Sequence, residues 1–388
     1  MHVALLSANP ASANPYIRLF QQGLEAAGAA VTLYTDPGPT GLPAAAGQAD
    51  VVHLHWLELW GRPPYRSLAG LQRWGLFGRG LRRWLEPALN SETLFSRRRQ
   101  RFLDRFLAAL ANYKARGGRL VYTAHNLGQH EGEAEAVELA GLRRLLALAD
   151  AVHVHGPSIA MAVRPLLVAE GGGIAPLSPS IAVIPHGHYL DAYPNHVSRD
   201  AARQRLGLPA HAFVFLALGL IRPYKGLEEL LAAFRAVEGE HVRLAIAGQP
   251  RPRSYADRLA ADAADRRILW HPHFIADDEV QVWMNAADVA VLPYRRVTTS
   301  GAALLAFSFG KPIVAPALPG FLELTGGDPA LGLLYPPQDP DGLRRALEAA
   351  SQVDWQPCRD AILAWVRRFD WLNIGRQLVA LYSAIGHR

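Results

Sequence analysis

Residues 288–316 read DVAVLPYRRVTTSGAALLAFSFGKPIVAP. Two short runs rich in Val and Ile, Asp288–Leu292 and Pro312–Ala315, flank a polar turn, Pro293–Ser300, and an apolar helical segment, Gly301–Phe309. Unbroken apolar runs of this length suit parallel strands covered on both faces. The helix opens on Thr298-Thr299-Ser300-Gly301, where hydroxyls cap the first turn and backbone N–H groups are left over. A helix start of that kind attracts phosphate.

The same alternation continues outward from this stretch. Upstream, strands are expected at Phe213–Leu218, Val242–Ala247 and Ile268–His271, with helices at Gly226–Val237, Tyr255–Ala264 and Asp278–Ala287; downstream come Gly332–Tyr335 and the helix Pro340–Ala350. The amino-terminal half repeats the plan, with strands at His2–Ser7, Ala30–Tyr34, Val51–His55, Leu120–Thr123, Ala151–His155 and Ile181–Ile184. Strands alternating with helices predict an α/β protein of two Rossmann-like, doubly wound parallel sheets facing a cleft. The loosened pattern around PHGHYLDAYPNHVSRD places the junction there. The expected division is 1–188, a linker at 189–211, a second domain at 212–370, and 371–388 as a helix crossing back to the first.

Composition narrows the class. The chain of 388 residues is 50% hydrophobic and 19% charged, which excludes disorder. One cysteine, Cys358, excludes an internal disulfide and fits a reducing, cytoplasmic compartment. The opening MHVALLSANP lacks a basic leader region, and no apolar run nears the roughly 20 residues that span a bilayer. Charge is uneven: between Arg62 and Arg119, 14 Lys/Arg face three acids, within a chain whose total is +6.

In the second half, GLIRPYKG (219–226) joins a strand to a helix. Arg222 and Lys225 lie on that turn, where both could reach a diphosphate. The ordered pieces GLIRPYKGLEELLAAF, RLAIAGQP, DEVQVWMNAADVAVLPY, SGAALLAFSFGKPIVA and the terminal FDW resemble the nucleotide-binding domain of retaining GT-B glycosyltransferases, the group that includes glycogen synthase and phosphatidylinositol mannosyltransferase. The resemblance covers most of residues 212–372. It implies that 212–370 binds a nucleotide sugar and 1–188 an acceptor, with Arg222, Lys225, Ser300 and Gly301 on the donor diphosphate. Gly219, Gly248, Phe274, Thr298, Thr299, Asn126 and His186 would then line the sugar or nucleotide pocket. Two glutamates usual in that group are replaced here by Val297 and Leu305. The Thr-Thr-Ser-Gly turn is instead similar to the serine-glycine version in β-1,4-mannosyltransferases that use GDP-mannose, so a retaining outcome does not follow.

In the first half, VYTAHNL (121–127) ends a strand in a polar turn. It is similar to the THN turn of glycogen synthase, which implies that His125 contacts the donor sugar. His53 and His55 share one strand face at period 2, followed by Trp56, Glu58 and Trp60; such a face suits sugar stacking or a packed core equally. If the reaction inverts, Glu131, His130 and His55 are the candidate general bases, in that order. No metal motif appears, and Asp339-Pro340-Asp341 reads as a helix start with Pro at its first position. No metal or other cofactor is expected, because Arg, Lys and helix-end N–H groups can offset leaving-group charge.

The basic insertion, 61–118, sets Trp74, Leu76, Phe77, Leu81, Trp84 and Leu85 among arginines, and a helix over Arg97–Arg116 carries Phe102, Leu103, Phe106, Leu107 and Leu110 on one stripe. These stripes either pack on the core or dock on an anionic membrane surface at the inner face of the membrane. No nucleic-acid motif accompanies the charge. The expectation is a transferase moving a sugar, with GDP-mannose as leading donor and a UDP-sugar next, to a saccharide or lipid-linked saccharide; the competing class is a catalytically silent binder of the same fold. A sugar-nucleotide epimerase would need a pair of acids that the sequence does not place.

Overall fold

The computed structural model describes residues 1–8, 15–38, 41–60, 92–125, 133–167 and 179–385. Two compact units emerge: one made of Met1–Pro185 with Trp371–Arg388, the other of His186–Asp370.

The first unit is built on a six-stranded parallel sheet of order β2-β1-β3-β4-β5-β6. Its strands are β1 (His2–Leu6), β2 (Ala30–Tyr34), β3 (Val51–His55), β4 (Arg119–Thr123), β5 (Ala151–Val154) and β6 (Ser180–Val183). The chain order reverses between β1 and β3, so the loops after those strands diverge at their carboxyl ends. Val52, Leu54, Leu120, Tyr122 and Val152 are buried together on one face. The helix Glu92–Ala115 packs there through Phe102, Leu103, Phe106, Leu107 and Leu110, all buried. This corrects the membrane reading of that helix: its apolar stripe belongs to the core, with Arg97, Arg98, Arg101 and Arg105 exposed. The insertion's other apolar residues, Trp74 to Leu85, lie outside the described residues.

The opposite face is covered by two helices, Tyr16–Ala26 and the carboxy-terminal Trp371–Ala384. They cross at backbone contact. A Cβ on Gly375 would lie 2.0 Å from the Gly23 carbonyl oxygen, and one on Gly23 would lie 2.5 Å from the Trp371 oxygen. Neither position has room for a side chain, and this close crossing fastens the last helix to the first unit.

The second unit holds the sheet β12-β11-β10-β7-β8-β9, again all parallel. Its strands are β7 (Phe213–Leu218), β8 (Val242–Ala247), β9 (Ile268–His271), β10 (Val289–Val291), β11 (Ile313–Pro316) and β12 (Gly332–Tyr335). The order reverses between β7 and β10, which are paired neighbours. The deciding stretch therefore supplies the strand on one side of the switch point, and the GLIRPYKG loop follows the strand on the other.

Residues 189–211, expected as a linker, are instead part of this unit and include the helix Arg199–Leu206. That helix is held by Arg203, which is buried and bonded to Asp288 Oδ2 at 2.7 Å and to the Ala212 carbonyl at 2.6 Å. His186 and His188, placed at the end of the first domain by sequence, also fall in the second unit. Asp339 Oδ1 accepts from Asp341 N–H at 3.1 Å, but the helix starts at Gly342 after Asp341, which makes no side-chain cap, so Pro340 precedes the first turn rather than occupying it.

Candidate functional site

In the second unit, the loop after β7 is shaped by three glycines. Gly219 has φ +118, and a Cβ on Gly248, after β8, would lie 1.9 Å from the Gly219 oxygen. The two loops are zipped further by Ile221 N–H to the Gln249 carbonyl (3.0 Å) and Arg251 N–H to the Ile221 carbonyl (2.9 Å). Gly226, at φ +65, brings the chain within 2.0 Å (Cβ position) of the Pro293 oxygen, which follows β10. Arg295 N–H also donates to the Tyr224 carbonyl at 2.9 Å. The loops after β7, β8 and β10 thus form one surface at the carboxyl edge of the sheet, where ligands of open parallel sheets bind.

Arg222 and Lys225 stand on this surface, both half-buried. The neighbouring acids are committed elsewhere: Arg295 donates to Glu229 Oε1 at 2.7 Å and to Glu228 Oε2 at 3.2 Å. Glu228 also accepts from the Tyr255 hydroxyl at 2.5 Å. Among the described residues no carboxylate pairs with Arg222 or Lys225, and Arg222 Nε is buried without a partner. Lys225 Nζ lies 3.1 Å from the Cβ position of Gly219 and 5.2 Å from the Tyr294 ring centroid. Burial, with help from Arg222, holds the Lys225 pKa below its ordinary value, opposed by Tyr224. Two cations kept close without a protein counter-charge suit an incoming anion.

The helix Gly301–Ser308 starts beyond the loop after β10. Ser300 is its N-cap, with Oγ accepting from Ala303 N–H at 3.2 Å, and the residue is buried. Its hydroxyl is thereby engaged in capping, which leaves the backbone of the first turn, rather than the Ser300 side chain, as the group able to meet a ligand. Gly301 faces Tyr189 and His186: its Cβ position is 3.1 Å from Tyr189 Oη and 3.7 Å from His186 Nε2. His186 Nδ1–H donates to the Gly187 carbonyl at 2.7 Å, so in the neutral ring Nε2 carries no proton. Burial holds this imidazole down to about 4, opposed by the Gly187 bond, and it remains neutral at pH 7. Tyr189 was not singled out by sequence; the signal was its place three residues after His186. Tyr294, under Lys225, was missed likewise. Thr298 and Thr299 are half-buried, with the Thr298 oxygen against Gly320, and Phe274 is exposed on the loop after β9.

In the first unit, histidines of β3 and β5 share one face with Thr123 of β4. His53 Nδ1 accepts from Tyr382 Oη–H at 2.5 Å, and His53 Nε2–H donates to Thr123 Oγ1 at 2.7 Å. The Thr123 hydroxyl donates to His153 Nδ1 at 2.9 Å, and His153 Nε2–H donates to the Ile184 carbonyl at 2.9 Å. With neutral rings every donor in this chain finds an acceptor, from the last helix across β3, β4 and β5 to the end of β6. Burial lowers the His53 pKa well below its ordinary value, with His153 adding to the effect.

His55 Nδ1 is 2.8 Å from His125 Nε2, and the Trp56 ring stacks on His125 at 4.1 Å. Trp56 has φ +49, a backbone region that a bulky residue adopts at some cost. His55 is fully buried and its pKa is lowered well below the ordinary value by burial, then by His53 and His125. His55 is thus a packed, neutral ring that reaches His125, and its full burial sets it away from solvent. Asn126, His130 and Glu131 lie outside the described residues. No group of acids, histidines and cysteines suited to a metal occurs among the described residues.

Residues 212–352 match the family described as Glycosyl transferases group 1. The chain is similar to the GDP-mannose:glycolipid 4-beta-D-mannosyltransferase of Xanthomonas campestris pv. campestris, 32% identical over 203 residues, covering 52% of this chain and 50% of that protein. It is 29% identical over 288 residues to the D-inositol 3-phosphate glycosyltransferase of Saccharomonospora viridis, covering 68% and 64%. The chain spans about half the length of the first curated relatives it matches. Among solved structures, Anabaena HepE in complex with UDP and glucose superposes with a TM-score of 0.68 at 18% identity, covering 99% of this chain and 100% of that one. Sucrose-phosphate synthase from Thermosynechococcus elongatus gives 0.67 at 21%, covering 99% and 98%. At such identities the likeness shows the fold, which is GT-B. The match to the group 1 glycosyltransferases covers the residues that carry Arg222, Lys225 and the Gly301 helix start.

Proposed function

We propose that this protein is a glycosyltransferase that moves a sugar from a nucleoside-diphosphate sugar to a hydroxyl of a saccharide or lipid-linked saccharide. The observation that carries the reading is the pair Arg222 and Lys225 at the β7–β10 switch point, lacking an acidic partner among the described residues. As the glycosidic bond to the diphosphate breaks, negative charge grows on the leaving oxygen. Fixed cations and first-turn N–H groups stabilise that charge without reorganising. His186 and Tyr189, beside Gly301, face the same helix start and would contact the donor.

GDP-mannose is the leading donor. It rests on the Thr-Thr-Ser-Gly turn and on the similarity to a mannosyltransferase whose name specifies GDP-mannose and a glycolipid. The UDP held by HepE keeps UDP-sugars in the panel. His125, backed by His55 and Trp56, would position sugar hydroxyls in the first unit. Neither Val297 nor Leu305 can accept a hydrogen bond through its side chain, so the ribose and sugar contacts of the group's usual glutamates must come from backbone or other residues.

The test is nucleoside diphosphate release from GDP-mannose, UDP-glucose and ADP-glucose, with and without a glycolipid acceptor. Acceptor-dependent release from one donor is expected. Binding of a nucleotide sugar with no release under any condition would instead favour the silent-binder reading.

A further inference from the structure

At the amino ends of β7, β10 and β11, on the sheet edge opposite the Arg222–Lys225 loop, the second unit has a groove of about 580 Å³. Its walls include Arg199, Asp288, Lys311, Trp355 and Arg359. A volume of that size accommodates a small metabolite.

The charges in the groove do not balance internally. Asp288 is fully engaged: it accepts from Arg203 Nη2 at 2.7 Å, Arg199 Nη2 at 3.1 Å and Val214 N–H at 2.7 Å. Lys311 Nζ donates to the Ala287 carbonyl at 2.7 Å, and no carboxylate pairs with it among the described residues. Desolvation holds its pKa down to about 8; Arg359, Arg199 and Arg203 push the same way and Asp288 opposes them. Arg199 Nε is buried with no partner. The stem of Arg359 is seated on Gly310, whose Cβ position is 2.8 Å from Arg359 Cγ, and its exposed guanidinium has no acid among the described residues. The remaining acid of the lining, Asp354, caps Gln356 N–H at 3.1 Å. His196, His211 and His241 complete the titratable lining. Lys311 and Arg359 therefore stand without a carboxylate among the described residues, beside an Asp288 already held by Arg203 and Arg199.

We infer that this groove binds a phosphorylated small metabolite, at a second site on the far edge of the sheet from the donor loops. A phosphate there would accept from Lys311 Nζ–H and Arg359, in the charge-assisted geometry that such groups favour. Polar neighbours such as Ser198, Asn195 and Gln356 suit a hydroxyl-rich body.

Isothermal titration at constant ionic strength, with inorganic phosphate and with glucose 6-phosphate, tests this. Three proteins are compared: the parent, the double variant Arg222→Ala/Lys225→Ala, and Arg359→Gln, an exposed residue whose loss leaves the Lys311 cap in place. Phosphate binding is expected to persist in the double variant and to weaken about tenfold in Arg359→Gln. The chain has three lysines, Lys114, Lys225 and Lys311, so a lysine-selective NMR titration resolves each. Phosphate is expected to move the Lys311 titration upward from about 8. Unchanged binding in Arg359→Gln, or loss of all phosphate binding in the double variant, overturns the inference.

Discussion

Lys225 illustrates how a residue can be fixed by its neighbours and still be reserved for a ligand. Its backbone N–H donates to the Arg222 carbonyl at 3.0 Å and its side chain lies over Tyr294. Arg295 meanwhile holds the nearby Glu228 and Glu229. The ammonium is thus partly desolvated without a counter-charge, which costs stability that a bound diphosphate returns. Each charge-assisted hydrogen bond contributes about 1.5–3 kcal/mol. Lys225→Ala and Arg222→Ala should therefore each weaken nucleoside diphosphate binding roughly 10- to 100-fold. Because neither residue has an acidic partner to orphan among the described residues, the melting temperature without ligand should stay unchanged or rise. A large fall in that temperature would show that the cations serve the fold. Sequence alone marked these two residues because they sit on a strand-to-helix turn of recognisable composition. Tyr189 and Tyr294 escaped because their roles depend on what faces them: Gly301 in one case and Lys225 in the other.

At the scale of elements, the strand and helix pattern was legible because each parallel strand is a short apolar run bounded by turn residues. Asp288–Leu292 narrows to Val289–Val291, and Pro312–Ala315 shifts to Ile313–Pro316, but both strands exist where periodicity puts them. The stretch 189–211 was misread because its helix carries little apolar signal. It is anchored by a buried arginine, Arg203, and by Gln281 accepting from His196 and Val197 N–H. Glycines carry the other decisive contacts. Gly375→Ala would drive a methyl into the Gly23 carbonyl. It should destabilise the first unit by about 1–3 kcal/mol, read as a fall of roughly 2–4 °C in melting temperature per kcal/mol.

The histidine relay in the same unit makes a pH prediction. His53 and His55 have folded-state pKa values below the unfolded value, chiefly through burial. The unfolded chain thus takes up protons first, and stability is lost as pH falls below about 6.5. Hydrogen exchange at the β3–β5 amides should quicken between pH 7.5 and 5.5. Constant or slower exchange, after correction for intrinsic rates, would contradict neutral buried rings.

For the whole molecule, two units with the same sheet logic divide the labour proposed here: the second for donor phosphates, the first for sugar hydroxyls around His125. The basic helix Glu92–Ala115 keeps Arg97, Arg98, Arg101 and Arg105 outward and buries Arg99, while its apolar stripe closes the first core. No helix among the described residues is long and apolar enough to cross a membrane. Any attraction to an anionic surface is then electrostatic at this helix, and should vanish with salt as screening shortens to a few ångströms. Flotation with anionic vesicles at low and at 1 M salt checks this, and salt-resistant binding would point to inserted apolar groups instead.

The carboxyl edge at β7 and β10 is expected to hold a diphosphate. Calorimetric titration of the intact chain with GDP and with UDP, alongside Lys225→Ala, measures this directly. Saturable binding of one nucleotide by the parent, weakened at least roughly tenfold in the variant, is the predicted result. Equal affinity in the two proteins, or no binding of either nucleotide to the parent, would contradict it.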